Sequence, residues 1–255
     1  VPHRKGDWLQ TYTGRIFWPL DPRPEEVSIE DIAHALSLQC RFGGHPRTFY
    51  SVGEHSVRVS NEVPPSAALW GLLHDASEAY LVDLPSPIKH CDGFGKIYRQ
   101  VEKHLQAIIC QRFGISRTEP ESVRGVDLRM LITEQRDLLS QPPKPWAINV
   151  PPFQRQVVPV SSAAAERMFL ARYCELTGVP IATDSMSADQ EAHLERVKRR
   201  VCERIDQKYR RGQKEHGGDL WRKNGIIEML LDEVADSVVY GETLKEQNEN
   251  SIAND

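Results

Sequence analysis

The side chains that could do chemistry together are His55, His74, Asp75, Glu78, Asp83 and Asp127. His74 and Asp75 stand side by side in "GLLHDASEAYLVDLPSPIK", residues 71–89, a run whose Leu72, Leu73 and Ala76 read as a buried helix. Helical positions three and four apart share a face, so Glu78 can lean toward the same pocket as His74 and Asp75. Asp83 follows just before a proline turn that can point it back. His55 lies among Val52, Val57 and Val59; Asp127 follows Val126 and precedes Met130 and Leu131. A carboxylate on a largely apolar helix face needs a partner, because an unpaired buried charge costs about several kcal/mol. A plain His74–Asp75 pair inside the core is one solution, since buried polar groups are commonly paired for structure alone. A single divalent cation is the other, and it satisfies His55, His74, Asp75 and Asp127 at once. Two imidazoles with two carboxylates suit Mn, Co, Fe, Ni or Zn better than Ca or Mg.

These residues need helices to position them, and the chain supplies the signals. Residues 1–25 mix aromatics and prolines, which suggests a short strand or hairpin and a turn. Ser28 with Asp31, and Ser51 with Glu54, read as capping boxes opening helices toward Gly43-Gly44 and Pro64-Pro65. "SAALWGLLHDASEAYLV" predicts one helix carrying His74, Asp75 and Glu78. Residues 92–113 predict a long helix, with Ile97, Val101, Leu105 and Ile108 at helical spacing. Thr118 with Glu121 predicts a capped helix running to about Leu139, followed by the proline-rich loop "QPPKPWAINVPPF". A last core helix is expected from about Ser162 to Thr177, with Gly178 as its cap and Pro180 as its stop. The predicted class is all-α.

Composition narrows the function. The chain has 255 residues, 27% charged and 40% hydrophobic, with net charge −4. That balance argues against duplex nucleic acid or an anionic membrane surface as partner. No apolar run reaches the roughly 20 residues of a membrane span, and the first residues have no apolar core of the signal-peptide kind. The cysteines, Cys40, Cys91, Cys110, Cys174 and Cys202, are scattered with no C-x-x-C pair. A reduced, cytoplasmic setting with core-filling thiols is expected. His34, His45, His90, His104 and His193 have no matching partners in sequence and are expected at the surface or in loops. Ser56 and Ser77 form no Ser-His-Asp order, which excludes acyl chemistry.

The order H…HD…D over consecutive helices resembles the HD-domain phosphohydrolases. "GEHS", "LLHDASEAYLVDLPSPIK" and "VDLRMLITE" are most similar to the bacterial 5'-deoxynucleotidases and the phage-type deoxynucleoside triphosphohydrolases, including those acting on dATP. The upstream "IEDIAHALSLQCRFGGHPRTFYSVGEHS" looks like the phage branch. The resemblance covers about residues 14–177 and implies an HD-domain helical bundle at 1–180. It implies His55, His74, Asp75 and Asp127 as metal ligands, holding Co, Mn, Zn, Fe or Ni, with Mg an option for a triphosphate. It implies Glu78 and Asp83 as the acids that handle the water and the leaving group. Arg41 and Phe42 occupy the place of an Arg and an aromatic, expected to grip phosphate and to stack on a base or sugar. Lys89, closing "LPSPIK", is a candidate phosphate contact, and Arg124, one turn before Asp127, a candidate for the same pocket. The implied reaction is attack on the α-phosphorus of a 2'-deoxynucleotide with cleavage of its bond to O5'. The products are deoxynucleoside plus phosphate, as in a 5'-nucleotidase, or plus triphosphate. Two other readings stay open: an HD phosphodiesterase acting on a cyclic or signalling nucleotide, and a non-catalytic nucleotide-binding regulator.

Composition changes at "ATDSMSADQ", which reads as a linker. Residues 188–247 are charge-rich and predict a helical hairpin, an appended module or an arm for homo-oligomer assembly. Its "KYRRGQKEHGGDLW" and "IIEMLLDEVADSVVY" resemble part of the all-α nucleoside triphosphate pyrophosphohydrolases. There Glu233 and Asp236 fit an ExxD half-site that Glu228 could assist, whereas Glu203 with Asp206 is only an ExxD.

Overall fold

Caps written into the sequence set the boundaries of several helices. In the computed structural model, which describes residues 4–180 together with Arg196, Arg199, Arg200 and Glu203, the Ser28 hydroxyl accepts the Asp31 amide at the start of α1, Ile29–Leu38. The Ser51 hydroxyl accepts the Glu54 amide at the start of α2, Val52–Glu62. Such caps are each worth about 1 kcal/mol. The acids opposite them do not complete reciprocal boxes. Asp31 instead accepts the Thr13 amide at 2.7 Å and its hydroxyl at 3.1 Å, and Glu54 accepts Arg58 and the Val160 amide. Each therefore ties a loop to its helix.

The expected N-terminal hairpin is present as β1, Leu9–Gln10, antiparallel to β2, Ile16–Phe17, with Leu9 opposite Phe17. The segment 65–81 is not one helix. A 3-10 turn at Pro65–Ala67 leads into α3, Ala68–Leu73, and a second helix, α4, spans only Glu78–Leu81. The cause is local. The His74 ring takes the Gly71 carbonyl at 2.8 Å, and the next amides bond three residues back, Ala76 to Leu73 and Glu78 to Asp75. Side-chain bonds of this kind compete with the helical ladder. Four-residue α5, Ser86–Lys89, precedes α6, Phe94–Arg112. In α6, Leu105 and Ile109 are buried, whereas Ile97 faces solvent. Helix α7, Glu121–Leu138, starts after Pro120 without a side-chain cap, so the expected Thr118 cap is not formed. Helix α8 runs Ser162–Thr177 and ends at Gly178 with φ 68°, as the sequence predicts.

Apart from the two-stranded hairpin, the described residues are helical or irregular, so the class is all-α. Helix α2 is the central member and packs against α1, α3, α7 and α8. Its Val52, Val57 and Val59 enter the core, and so do Glu54 and His55. Two glycines let its neighbours approach. A Cβ on Gly53 would stand 2.6 Å from Ser37 Oγ on α1, and one on Gly71 would stand 3.2 Å from the Ser60 Cα on α2. Phe17 of β2 stacks on Tyr80 of α4 at 3.9 Å, so the hairpin buttresses the helix that carries Glu78. Arg172 of α8 donates to the Ser60 hydroxyl and carbonyl, and that hydroxyl donates to Ala68 at the start of α3.

Residues 1–181 form one compact unit and 182–255 a second. The hairpin expected at 188–247, with Glu228, Glu233 and Asp236, lies outside the described residues, as do Asp206, His193 and Cys202; Arg196, Arg199, Arg200 and Glu203 are helical. No helix among the described residues is long and apolar enough to cross a membrane. Of the described cysteines, all free, Cys110 fills the core as expected, but Cys91 is exposed. His34 is not a bare surface residue. It is stacked on Tyr12 at 3.6 Å and bonded to Glu166 of α8.

Candidate metal centre

The fold gathers three of the expected ligands, His55, His74 and Asp75, into one cluster and sets Asp127 against the two rings. His55 comes from the N-terminal part of α2, His74 and Asp75 from the turn that ends α3, and Asp127 from the second turn of α7. His55 Nε2 lies 3.2 Å from His74 Nε2, 3.0 Å from Asp127 Oδ1 and 3.7 Å from Asp75 Oδ2. His74 Nε2 lies 3.3 Å from the same Asp75 oxygen and 3.8 Å from the same Asp127 oxygen. His55, His74 and Asp75 offer ligand atoms all within 4.8 Å of one another. The His55 side chain is sealed, whereas Asp75 and Asp127 keep 19% and 38% exposure, so the cluster opens on its carboxylate side.

The far side of each ring fixes what the near side offers. His74 Nδ1 faces the Gly71 carbonyl, which can only accept, so Nδ1 carries the hydrogen. His55 Nδ1 faces Glu134 Oε1 at 2.6 Å, and that oxygen also accepts the Tyr50 hydroxyl at 2.7 Å. Burial disfavours a charged Glu134, but Arg41, His55 and Tyr50 outweigh it and hold its carboxyl below the usual range. Glu134 is thus an acceptor, and His55 Nδ1 also carries a hydrogen. Both neutral rings therefore turn an Nε2 lone pair toward the other ring and toward two carboxylates. Only protons or a cation can reconcile such a set. Donors around a metal at about 2.0–2.1 Å stand roughly 3.0–3.4 Å apart, a range that holds the His55–His74, His55–Asp127 and His74–Asp75 separations. Rings oriented from behind by a carbonyl and a carboxylate are the usual support of metal-binding histidines. His55, His74 and Asp75 could hold a metal ion. In its absence the rings keep protons: burial opposes the charge, but Asp75 and Asp127 raise His74 well above its ordinary value. Asp75 and Asp127 are correspondingly pulled down despite burial, chiefly by His74 and by bonds to both rings.

Glu78 and Asp83 flank this cluster. Gln39 clamps the short helix between them, donating to the Glu78 carbonyl and accepting the Asp83 amide, both at 3.0 Å. Burial, Asp75 and Asp83 push the Glu78 carboxyl well above its usual range, against the opposing pull of Lys89. Glu78 Oε1 meets Lys89 Nζ at 3.1 Å, while its buried Oε2 has no hydrogen-bond partner. Asp83 is also raised, by burial first.

The cationic residues Arg41 and Lys89 are paired with carboxylates of the chain itself. Arg41 is buried, with Nη1 at 3.2 Å from Asp75 Oδ2 and Nε at 3.2 Å from Glu134 Oε2. It pairs with the same Asp75 oxygen that faces both rings, and burial is overcome by the Glu134, Asp75, Asp127 and Asp83 carboxylates that keep it charged. Lys89 is held between Glu78 and Glu102, the latter at 2.7 Å, so it bears on Glu78 first. The reason is α6, whose Glu102 no sequence signal linked to Lys89. Arg124 is exposed. Phe42 is half-buried, with its ring 5.5 Å from the Arg41 guanidinium and 6.4 Å from the Trp146 ring. Sequence reasoning missed Glu134, Tyr50, Gln39 and Glu102. Glu134 alone had a readable signal: it follows Asp127 by two helical turns, on the same face of α7.

No protein-family model matches the chain. The Escherichia coli K12 protein YfdR, described as uncharacterized, is 34% identical over 173 residues, which are 67% of this chain and 96% of YfdR. The chain belongs to the YfdR family. An uncharacterized protein of Rhodobacter capsulatus is 35% identical over 129 residues, 47% of this chain and 65% of that relative. Since 173 residues make up nearly all of YfdR, that family member is about as long as the first compact unit here. Neither relative's description names an activity, so membership of the YfdR family establishes kinship and leaves chemistry to the site.

Proposed function

We propose that this chain is a metal-dependent phosphohydrolase acting on 2'-deoxynucleotides, an HD-domain enzyme by resemblance. One observation carries the proposal. His55, His74 and Asp75 offer ligand atoms all within 4.8 Å of one another, Asp127 Oδ1 lies 3.0 and 3.8 Å from the two rings, and each ring is oriented from behind by an acceptor. His55, His74, Asp75 and Asp127 would hold the metal, which supplies Lewis acidity toward a phosphoryl oxygen and a water nucleophile. The chain's own residues do the rest. Glu78, kept protonated by burial and by Asp75 and Asp83, is suited to give a proton to the departing O5' through its free Oε2. Asp83, less buried, is suited to orient and deprotonate the water. Arg41 holds Asp75 and Glu134 in place and adds positive charge beside the position where phosphate negative charge would sit. The products would be deoxynucleoside plus phosphate or triphosphate, in the cytoplasm, with Lys89 able to approach the phosphate only by leaving a carboxylate.

The test is a product screen. Full-length protein loaded with Mn, Co or Zn is incubated with each dNMP, dNTP, NMP and cyclic nucleotide, and the products are separated. Free deoxynucleoside from a deoxynucleotide is the expected result. Asp75→Ala should lose both metal and turnover, whereas Glu78→Gln should keep the metal and lose about 10²–10⁴-fold in rate. Turnover confined to cyclic nucleotides, or none under any of these metals, contradicts the proposal.

A further inference from the structure

The backbone immediately before Asp83 is strained. Val82, which follows α4, has φ 70° and ψ 156°. That region is essentially reserved for glycine, and other residues persist in it only where their surroundings impose it. A β-branched side chain tolerates it least. The valine side chain does not impose it, because Val82 is 59% exposed and belongs to neither buried apolar cluster. The constraint lies instead in the hydrogen bonds on either side of the residue.

The Val82 amide donates to the Glu78 carbonyl at 2.8 Å, which fixes the peptide plane entering the residue. The plane leaving it, between Val82 and Asp83, is gripped at both edges. Its N–H, that of Asp83, donates to Gln39 Oε1 at 3.0 Å. Its carbonyl, that of Val82, accepts the Tyr98 hydroxyl at 2.6 Å, with the Leu81 carbonyl more distant at 3.3 Å. A peptide unit is planar, so holding both edges sets its orientation. Two pinned planes leave Val82 no relaxed φ and ψ. Gln39 comes from the end of α1 and Tyr98 from the second turn of α6, so the turn is stretched between two separate helices. We propose that Tyr98 is a positioning residue: its hydroxyl, opposite Gln39 across one peptide plane, holds the glycine-type turn at Val82 and so fixes where the Asp83 carboxylate stands. The consequence for the reaction rests on the proposed role of Asp83 with the water; the holding of the turn does not. Without the hydroxyl the plane is held at one edge only, Val82 relaxes toward negative φ, and Asp83 swings away with the chain.

The metal-loaded full chain is compared with Tyr98→Phe, Val82→Gly and the double variant. Phenylalanine keeps the ring, which lies 5.8 Å from Lys89 Nζ, and removes only the donor. Glycine adopts positive φ without strain, so it should make the hydroxyl dispensable. Hydrogen exchange over residues 79–84, read by mass spectrometry, reports the turn without turnover. Tyr98→Phe should speed exchange there about 10-fold and lower kcat on a deoxynucleoside monophosphate about 10-fold, with KM nearly unchanged. Val82→Gly alone should move the urea midpoint upward and keep kcat near that of the wild type. In the double variant, exchange and kcat should both return to within about 3-fold of the wild type. A general loss of packing would give no such rescue. Exchange unchanged in Tyr98→Phe, or accelerated exchange that Val82→Gly does not rescue, overturns the proposal. Rescued exchange with kcat untouched upholds the held turn and overturns its consequence for the reaction. If the wild type hydrolyses no deoxynucleotide, the phosphohydrolase reading falls, while exchange and urea unfolding still decide whether Tyr98 holds the turn.

Discussion

Glu134 decides how His55 presents itself. Its Oε1 accepts from the His55 ring and the Tyr50 hydroxyl, and its Oε2 faces Arg41. Glu134→Gln can still bond the ring, through its amide oxygen, but loses the charge that makes the imidazole a stronger donor. Metal affinity should fall about 10–100-fold, read by competition with a chromophoric chelator, while Glu134→Ala should fall further and lose stability. An unchanged affinity in both variants would remove Glu134 from the site. This residue also shows the limit of reading from sequence. The ligand types and their order were legible because His and Asp in apolar runs demand partners. Glu134 shares the Asp127 face of its helix, but that spacing says nothing of burial, because Tyr50 and Arg41 arrive from 84 and 93 positions away in the chain. The Lys89–Glu102 ion pair was hidden for the same reason, since Glu102 reaches it from another helix.

At the scale of elements, the centre depends on how closely α3 lies on α2. Gly71 supplies both the carbonyl that orients His74 and the missing Cβ that lets α3 approach Ser60 and Val63. Gly71→Ala should therefore destabilise the fold by about 1–3 kcal/mol in urea unfolding, as overpacking does. It should also weaken the metal, because the His74 ring moves with its helix. Full stability in that variant would mean the helices can part freely. Elements bounded by local chemistry were legible: Ser161 and Gly178 delimit α8 through a hydroxyl cap and a left-handed turn. The break between α3 and α4 was not, because the apolar periodicity runs through it and only the His74 ring's bond to Gly71 interrupts the ladder. Helix α7 starts at Glu121 because Pro120, not Thr118, stands at its cap position.

At the scale of the whole molecule, every residue of the candidate site falls in the first compact unit, and YfdR is matched over almost its entire length by a stretch about that long. A chain ending at residue 181 should therefore unfold cooperatively and keep the metal affinity of the full protein. Loss of both would show that the second unit completes the first. The account's central claim, however, is the centre itself. The most direct measurement is titration of the metal-stripped full chain with cobalt(II), followed by visible absorption. The account predicts ligand-field bands saturating at about one equivalent per chain, and their loss in Asp75→Ala with the helical fold intact by circular dichroism. A wild-type chain with no saturable cobalt site, or an Asp75→Ala chain that binds as well, would contradict it.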